Sequence, residues 1–212
     1  MKNNIIGRKS EQDTLARIYE SRQSEFVAVC GRRRVGKTFL VREYFEQEMV
    51  FQTSGLAGGN TQEQLKNFFY TLRRYDRNVT SVPHDWLDAF EMLISYLDSL
   101  NGIERKVIFL DELPWMDTAG SNFISALEHF WNGWASARRD IVLIVCGSAT
   151  SWMMDKLINN HGGLYGRLTH RLFLQPFSLG ESEAFLKTKG MMLSRYEMAE
   201  LYMTLRSSSG WV

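Results

Sequence analysis

Apolar positions along the chain follow two rhythms. Apolar runs at residues 26–30, 50–53, 107–110 and 141–146, with a weaker one at 172–174, have the length of buried strands. Between them the spacing turns helical. Phe123, Ile124, Leu127, Phe130, Trp131 and Trp134 share one helical face, and Leu87, Phe90, Leu93, Ile94 and Leu97 share another; both stripes read as core. Apolar strands alternating with amphipathic helices predict an α/β domain, a parallel sheet covered on both faces. Gly55-Leu56-Ala57-Gly58-Gly59-Asn60 reads as a flexible connection after the second strand, and Asn159-Asn160-His161-Gly162-Gly163 as another after the fourth. Past Pro176, Ser178 and Glu181 have capping-box spacing and open a helical region running to about Leu205. The expected organisation is therefore one α/β domain over residues 1–177 and the start of a helical lid over 178–212. The closing run from Arg206 to Val212 reads as a lid cut short.

Composition adds little that is distinctive. With 44% hydrophobic and 23% charged residues in 212, the chain has the make-up of one globular domain and part of a second. A net charge of +1 gives no basic footprint, so charge does not indicate nucleic acid as a partner, though it leaves it open. The first residues lack a signal-peptide core, and no apolar run is long enough to span a bilayer; the expectation is a cytoplasmic protein without a membrane partner. Cys30 and Cys146 each close an apolar run and read as reduced core thiols. The histidines His84, His129, His161 and His170 lack ligand spacing, so no zinc site is expected.

The chemistry sits after the first strand. Gly31, Arg32, Arg33, Arg34, Val35, Gly36, Lys37 and Thr38 fit the pattern G-x-x-x-x-G-K-[ST]. Glycines let the backbone curl so that its N–H groups face phosphate oxygens, and the helix that follows directs its positive end at the same anion. In this reading Lys37 reaches the β- and γ-phosphates and the Thr38 hydroxyl ligates Mg²⁺. The setting fits, because an apolar strand precedes the loop and a helix bearing Phe39, Leu40, Tyr44 and Phe45 follows it. The side chains of Arg32, Arg33 and Arg34 read as a solvated loop tip.

A second signal is the third apolar run, which ends in Asp111-Glu112. Asp111 falls where a carboxylate holds Mg²⁺, and Glu112 where a base orients the attacking water, which favours hydrolysis over simple binding. The fourth run ends in Gly147-Ser148-Ala149-Thr150. Ser148 either caps the next helix or reaches the γ-phosphate and the attacking water; the sequence leaves both open.

These residues together resemble the prokaryotic P-loop ATPases called archaeal-type ATPases, of the AAA+ and STAND assemblage. The resemblance rests on Ile6-Gly7-Arg8 with Glu11 and Leu15, the 31–38 loop, Asp111-Glu112-Leu113-Pro114-Trp115, Gly147-Ser148, Leu164-Tyr165-Gly166-Arg167 and Leu174-Gln175-Pro176-Phe177. It implies a P-loop NTPase fold with five strands, adenine beside Gly7 and Arg8, and Ser148 as the residue that senses nucleotide. It also implies that Arg167 approaches the γ-phosphate of a neighbouring subunit in a homo-oligomer.

The functional expectation is an ATPase with ATP and Mg²⁺ as cofactors. The alternative is a slow ATP-dependent switch or scaffold that recruits a protein or DNA partner. Asp117-Thr118-Ala119-Gly120 matches a GTPase element but lies beyond the strand end, where Asp111 already stands. A nucleotide kinase would need an acceptor pocket and a site that excludes water.

Overall fold

The structure is a computed structural model that describes residues 5–148, 150–159, 162–191 and 193–207, with the backbone alone at 150 and 205–207. Ala149, Asn160, His161 and the tail from Ser208 to Val212 lie outside the described residues, so those parts of the sequence expectations are not addressed. In chain order the elements are α1 (Lys9–Glu20), β1 (Glu25–Gly31), α2 (Lys37–Tyr44), β2 (Met49–Ser54), α3 (Thr61–Tyr75), α4 (Trp86–Ser99) and β3 (Lys106–Asp111). They continue with α5 (Phe123–Gly133), β4 (Ile141–Gly147), the short α6 (Thr150–Met153), β5 (His170–Leu174), α7 (Leu179–Thr188) and α8 (Arg195–Ser207).

All five strands are parallel, in the order β2-β3-β4-β1-β5. Alternation along each strand sorts the core into two layers. Phe26, Ala28, Cys30, Ile108, Leu110, Leu143 and Val145 face α3, α4 and α5, whose Phe68, Trp86, Phe90, Phe123 and Phe130 fill that side. Val27, Val29, Phe109, Val142, Ile144 and Cys146 face α1 and α2 through Leu15, Ile18, Leu40 and Val41. Because β1 lies between β4 and β5, the loop that leaves its C-terminal end opens beside the ends of β3 and β4. Among the described residues no helix is long and apolar enough to cross a membrane.

Several expectations need correction. The helical region expected after Pro176 consists of two helices, α7 and α8, and Gly190, with a left-handed φ of 76°, follows the end of the first. Leu87 is exposed, while Trp86 and Ala89 take the buried positions of α4. Phe39 is likewise exposed on α2. The connection at 55–60 is held in place rather than flexible. The buried Gln64 side chain accepts from the N–H of Leu56 (2.9 Å) and donates to its carbonyl (2.7 Å), and Asn60 and Glu63 form a capping box for α3. Two helices that the sequence reading did not single out, α1 and α3, are also present; α3 buries Leu65, Phe68, Phe69 and Leu72, which lie at helical spacing.

Candidate functional site

The loop from Gly31 to Thr38 folds as it does because two glycines take backbone conformations that L side chains rarely adopt. Gly31 has a φ of 150°, and a Cβ on it would lie 2.5 Å from the carbonyl oxygen of Leu174 in β5. Gly36, at φ 88°, forms the left-handed step into α2. Lys37 is buried, and its ammonium donates to the carbonyls of Gly31 (2.9 Å) and Arg32 (2.8 Å). Arg32, Arg33 and Arg34 are exposed.

From the loop a chain of hydrogen bonds runs across the strand ends. The Thr38 hydroxyl donates to Asp111 Oδ2 (2.8 Å), and the Glu112 N–H donates to Asp111 Oδ1 (2.9 Å). The Ser148 hydroxyl donates to Glu112 Oε2 (3.1 Å). The structure thus brings together Lys37, Thr38, Asp111, Glu112 and Ser148 at the C-terminal ends of β1, β3 and β4, where open α/β sheets bind ligands. Glu112 reaches Ser148 from a left-handed backbone, φ 46° and ψ 45°. The space for that turn comes from Gly55, where a Cβ would lie 2.6 Å from the Glu112 carbonyl oxygen.

Backbone strain concentrates here. Four described non-glycine residues have positive φ, and three of them, Arg8, Arg34 and Glu112, border this site. Such conformations cost about 1–2 kcal/mol per residue and tend to persist where function requires them.

The thiols beneath the site are inert. Cys30 and Cys146 are buried, and burial pushes the Cys30 thiol up to about 11. Cys146 is raised well above the ordinary thiol range, first by burial and then by the nearby Asp111 carboxylate.

Gly7 and Arg8 sit against the same loop. The Arg8 guanidinium donates to the carbonyl of Val35 (2.9 Å), pairs with Glu11 (3.3 Å) and lies over the Phe177 ring, 4.7 Å from its centroid. The Arg8 N–H donates to Glu181 Oε1 (2.7 Å). The capping-box spacing made Glu181 visible as a helix start but gave no sign of this long-range contact.

Arg167 is exposed in the turn before β5, and among the described residues its guanidinium has no hydrogen bond or ion pair with the residues above. Asp117 accepts from the Trp152 indole N–H (3.0 Å), and Thr118 shares a hydroxyl hydrogen bond with Thr61 (2.6 Å), which gives both structural partners.

Comparison with known proteins adds the family. The profile of a family described as an ATPase domain predominantly from Archaea matches residues 6–202. An uncharacterized protein of Methanocaldococcus jannaschii is 26% identical over 181 residues, 85% of this chain and 38% of that protein. An uncharacterized ATP-binding protein of the same organism is 32% identical over 50 residues, 24% of this chain and 85% of its own length. Among solved structures, the Walker-type ATPase of Pyrococcus abyssi superposes with a TM-score of 0.70 at 19% identity, covering 93% of this chain and 63% of that one. The Aeropyrum pernix ORC2 protein, solved in ADPNP–ADP complexes, gives 0.59 at 20% identity, covering 87% of this chain and 53% of that one. The chain thus spans less than two thirds of the length of the first M. jannaschii relative and of both solved ATPase-fold neighbours. With the family profile covering nearly the whole chain and a five-stranded parallel sheet beneath the 31–38 loop, the protein belongs to the archaeal-type P-loop ATPases.

Proposed function

We propose that the chain binds ATP with Mg²⁺ and hydrolyses it to ADP and phosphate. The observation that carries this reading is the hydrogen-bonded chain Thr38–Asp111–Glu112–Ser148 at the mouth of the glycine loop. Backbone N–H groups of residues 31–38 take the phosphates, and Lys37 exchanges its two loop carbonyls for β- and γ-phosphate oxygens. The Thr38 hydroxyl and the Asp111 carboxylate lie within a hydrogen bond of one another and are hard oxygen donors, a set that fits Mg²⁺. When bound, the ion supplies charge neutralisation at the β- and γ-oxygens. Glu112 orients water and accepts its proton, and Ser148 holds the carboxylate that does so. Gly7 and Arg8 border the adenine, next to the carbonyl of Val35.

The Ser148 bond to Glu112 also fits a second reading, a slow ATP-dependent switch that recruits a protein or DNA partner, because it engages one of the two carboxylate oxygens and leaves Oε1 alone to serve water. Residues 178 onward, in this proposal, are the start of a lid that continues the 1–177 domain, and the setting is cytoplasmic. Lys37→Ala tests the core of the proposal. Equilibrium titration with a labelled ATP analogue and Mg²⁺ is expected to show near-complete loss of binding, and wild-type affinity in the variant would remove the assignment. Arg167 is proposed to act on a neighbouring subunit. Arg167→Ala is then expected to bind ATP normally and hydrolyse it slowly, by a factor on the order of 10³ or more. Mixed oligomers of Arg167→Ala and Lys37→Ala should recover activity, and mixed oligomers without recovery exclude action in trans.

A further inference from the structure

One carboxylate ties the N-terminal segment to α7. Glu181 closes the α7 cap with Oε2, which accepts from the Ser178 N–H (2.8 Å) and hydroxyl (2.9 Å). A capping box needs no more than that from its glutamate. The second oxygen, Oε1, accepts from the N–H of Arg8 (2.7 Å), 173 residues earlier. Burial works to raise the Glu181 carboxyl, but the hydrogen bonds from the Arg8 and Ser178 N–H groups and the Ser178 hydroxyl outweigh it and hold the group below its usual value.

The turn that this oxygen holds is unusual. Gly7 and Arg8 are both left-handed, with φ of 66° and 54°. Glycine suits the left-handed φ at position 7, and a Cβ there would lie 2.7 Å from the Glu181 side chain and displace it. Gln12 fastens the turn from the other side by donating to the Gly7 carbonyl (2.7 Å). The left-handed backbone of Arg8 needs a compensating partner, and the Glu181 carboxylate is the charge-assisted acceptor that meets its N–H. Arg8 then reaches the loop itself through the Val35 carbonyl.

We infer that Glu181 is a positioning residue for the base end of the nucleotide site: by accepting the Arg8 N–H it fixes the Gly7–Arg8 turn against the 31–38 loop, so that the turn offers the purine a rigid edge. The inference rests on the ATP reading above and concerns the base, whereas Lys37, Thr38 and Asp111 concern the phosphates. A glutamate that only capped α7 would act through helix stability, and Ser178, the other half of the box, would then matter equally.

The test compares two ligands on the full chain by calorimetric titration with Mg²⁺: ATP, and inorganic tripolyphosphate, which has the phosphates and no base. Glu181→Ala is expected to weaken ATP about tenfold, the loss of one charge-assisted hydrogen bond, and to leave tripolyphosphate within about twofold. Ser178→Ala, which spares the Arg8 contact, should leave both affinities near wild type. If Glu181→Ala fails to fold, Glu181→Gln takes its place. Its amide has a single acceptor oxygen for donors on two sides, and the same selective loss of ATP is expected in smaller degree. Wild-type ATP affinity in the variant, equal loss of both ligands, or a Ser178→Ala variant that reproduces the loss each overturns the inference. If the unaltered chain binds neither ligand, the ATP reading itself falls, and this inference with it.

Discussion

The sheet buries charge at both ends and handles it in two ways. At the N-terminal ends of the strands, Arg105 donates to the carbonyls of Gln23 (2.7 Å), Arg139 (2.6 Å) and Ile18 (2.9 Å). Beside it Lys106 pairs with Asp140 (2.8 Å), which also accepts from Arg138 (2.8 Å), and Arg138 reaches on to Asp98 (2.7 Å). Apart from Arg138 and Asp140, which are near neighbours, the partners here come from distant parts of the chain, so these bonds fasten one segment to another. At the C-terminal ends the buried Lys37 is held by its own loop, and Thr38, Asp111, Glu112 and Ser148 hold one another at strand ends. Thr38–Asp111 and Ser148–Glu112 also bridge separate segments, but in the proposed function these are the groups that exchange partners when ligand binds. Backbone strain is divided in the same way, since Arg8, Arg34 and Glu112 all belong to the second end. One end closes the fold, and the other, in the proposed function, holds contacts that ligand exchanges.

The largest effect that sharpens this contrast is expected from Glu112→Gln. The amide keeps the shape and the Ser148 contact but cannot take a proton, so ATP binding should persist while phosphate release falls on the order of 10²-fold or more. Release at the wild-type rate would show that the carboxylate is only a strand-end acid. Arg105→Met is expected to do the opposite. Three carbonyls lose a buried charged donor, and unfolding free energy should drop by about 3 kcal/mol with ATP affinity unchanged. An unaltered denaturant midpoint would break the comparison from the other side.

The smallest expected effect is the response to acid. Hydrogen bonds from Arg138, followed by those from Lys106, hold the Asp140 carboxyl far below the ordinary carboxylate range, against the pull of burial. A carboxyl depressed in the folded state adds stability that is fully present above its unfolded value of about 3.9 and is lost as pH falls through the folded value. Thermal unfolding followed down from pH 7 should therefore show an acid-side decline that is shallower in Asp140→Asn. Equal slopes in the two proteins would mean that Asp140 does not contribute.

The two ends also differ in how far the sequence reveals them. Strand runs, the 31–38 loop and Asp111-Glu112 are contiguous signals, in which chemistry and spacing lie within a few residues. The five strands appear where those runs predict them, each extended by one or two residues at its ends. Arg105 gives no such sign, because its partners are backbone carbonyls that any sequence would supply. The Arg8–Glu181 contact is hidden for a related reason: it joins two locally ordinary features across 173 residues. The left-handed backbones of Arg34 and Glu112 follow from packing around Gly55 and the loop, and neither residue type predicts them. Leu87 fails because a helical stripe drawn at regular spacing slips by one position, and Trp86 supplies the larger apolar surface for the buried site.

Strand order has one more consequence, for the chain as it leaves the ribosome. β1 is the first strand made, yet its neighbours are β4 and β5, which begin at Ile141 and His170. Until those segments emerge, β1 has no partner on either edge, and Gly31 has no Leu174 carbonyl to lie against. Pairing of β2 with β3 needs far less of the nascent chain. Contacts between remote segments form late, because the closure entropy of the intervening chain must be overcome first. During synthesis the phosphate loop is thus translated early and assembled last, so a partly made chain has no competent site with which to capture nucleotide.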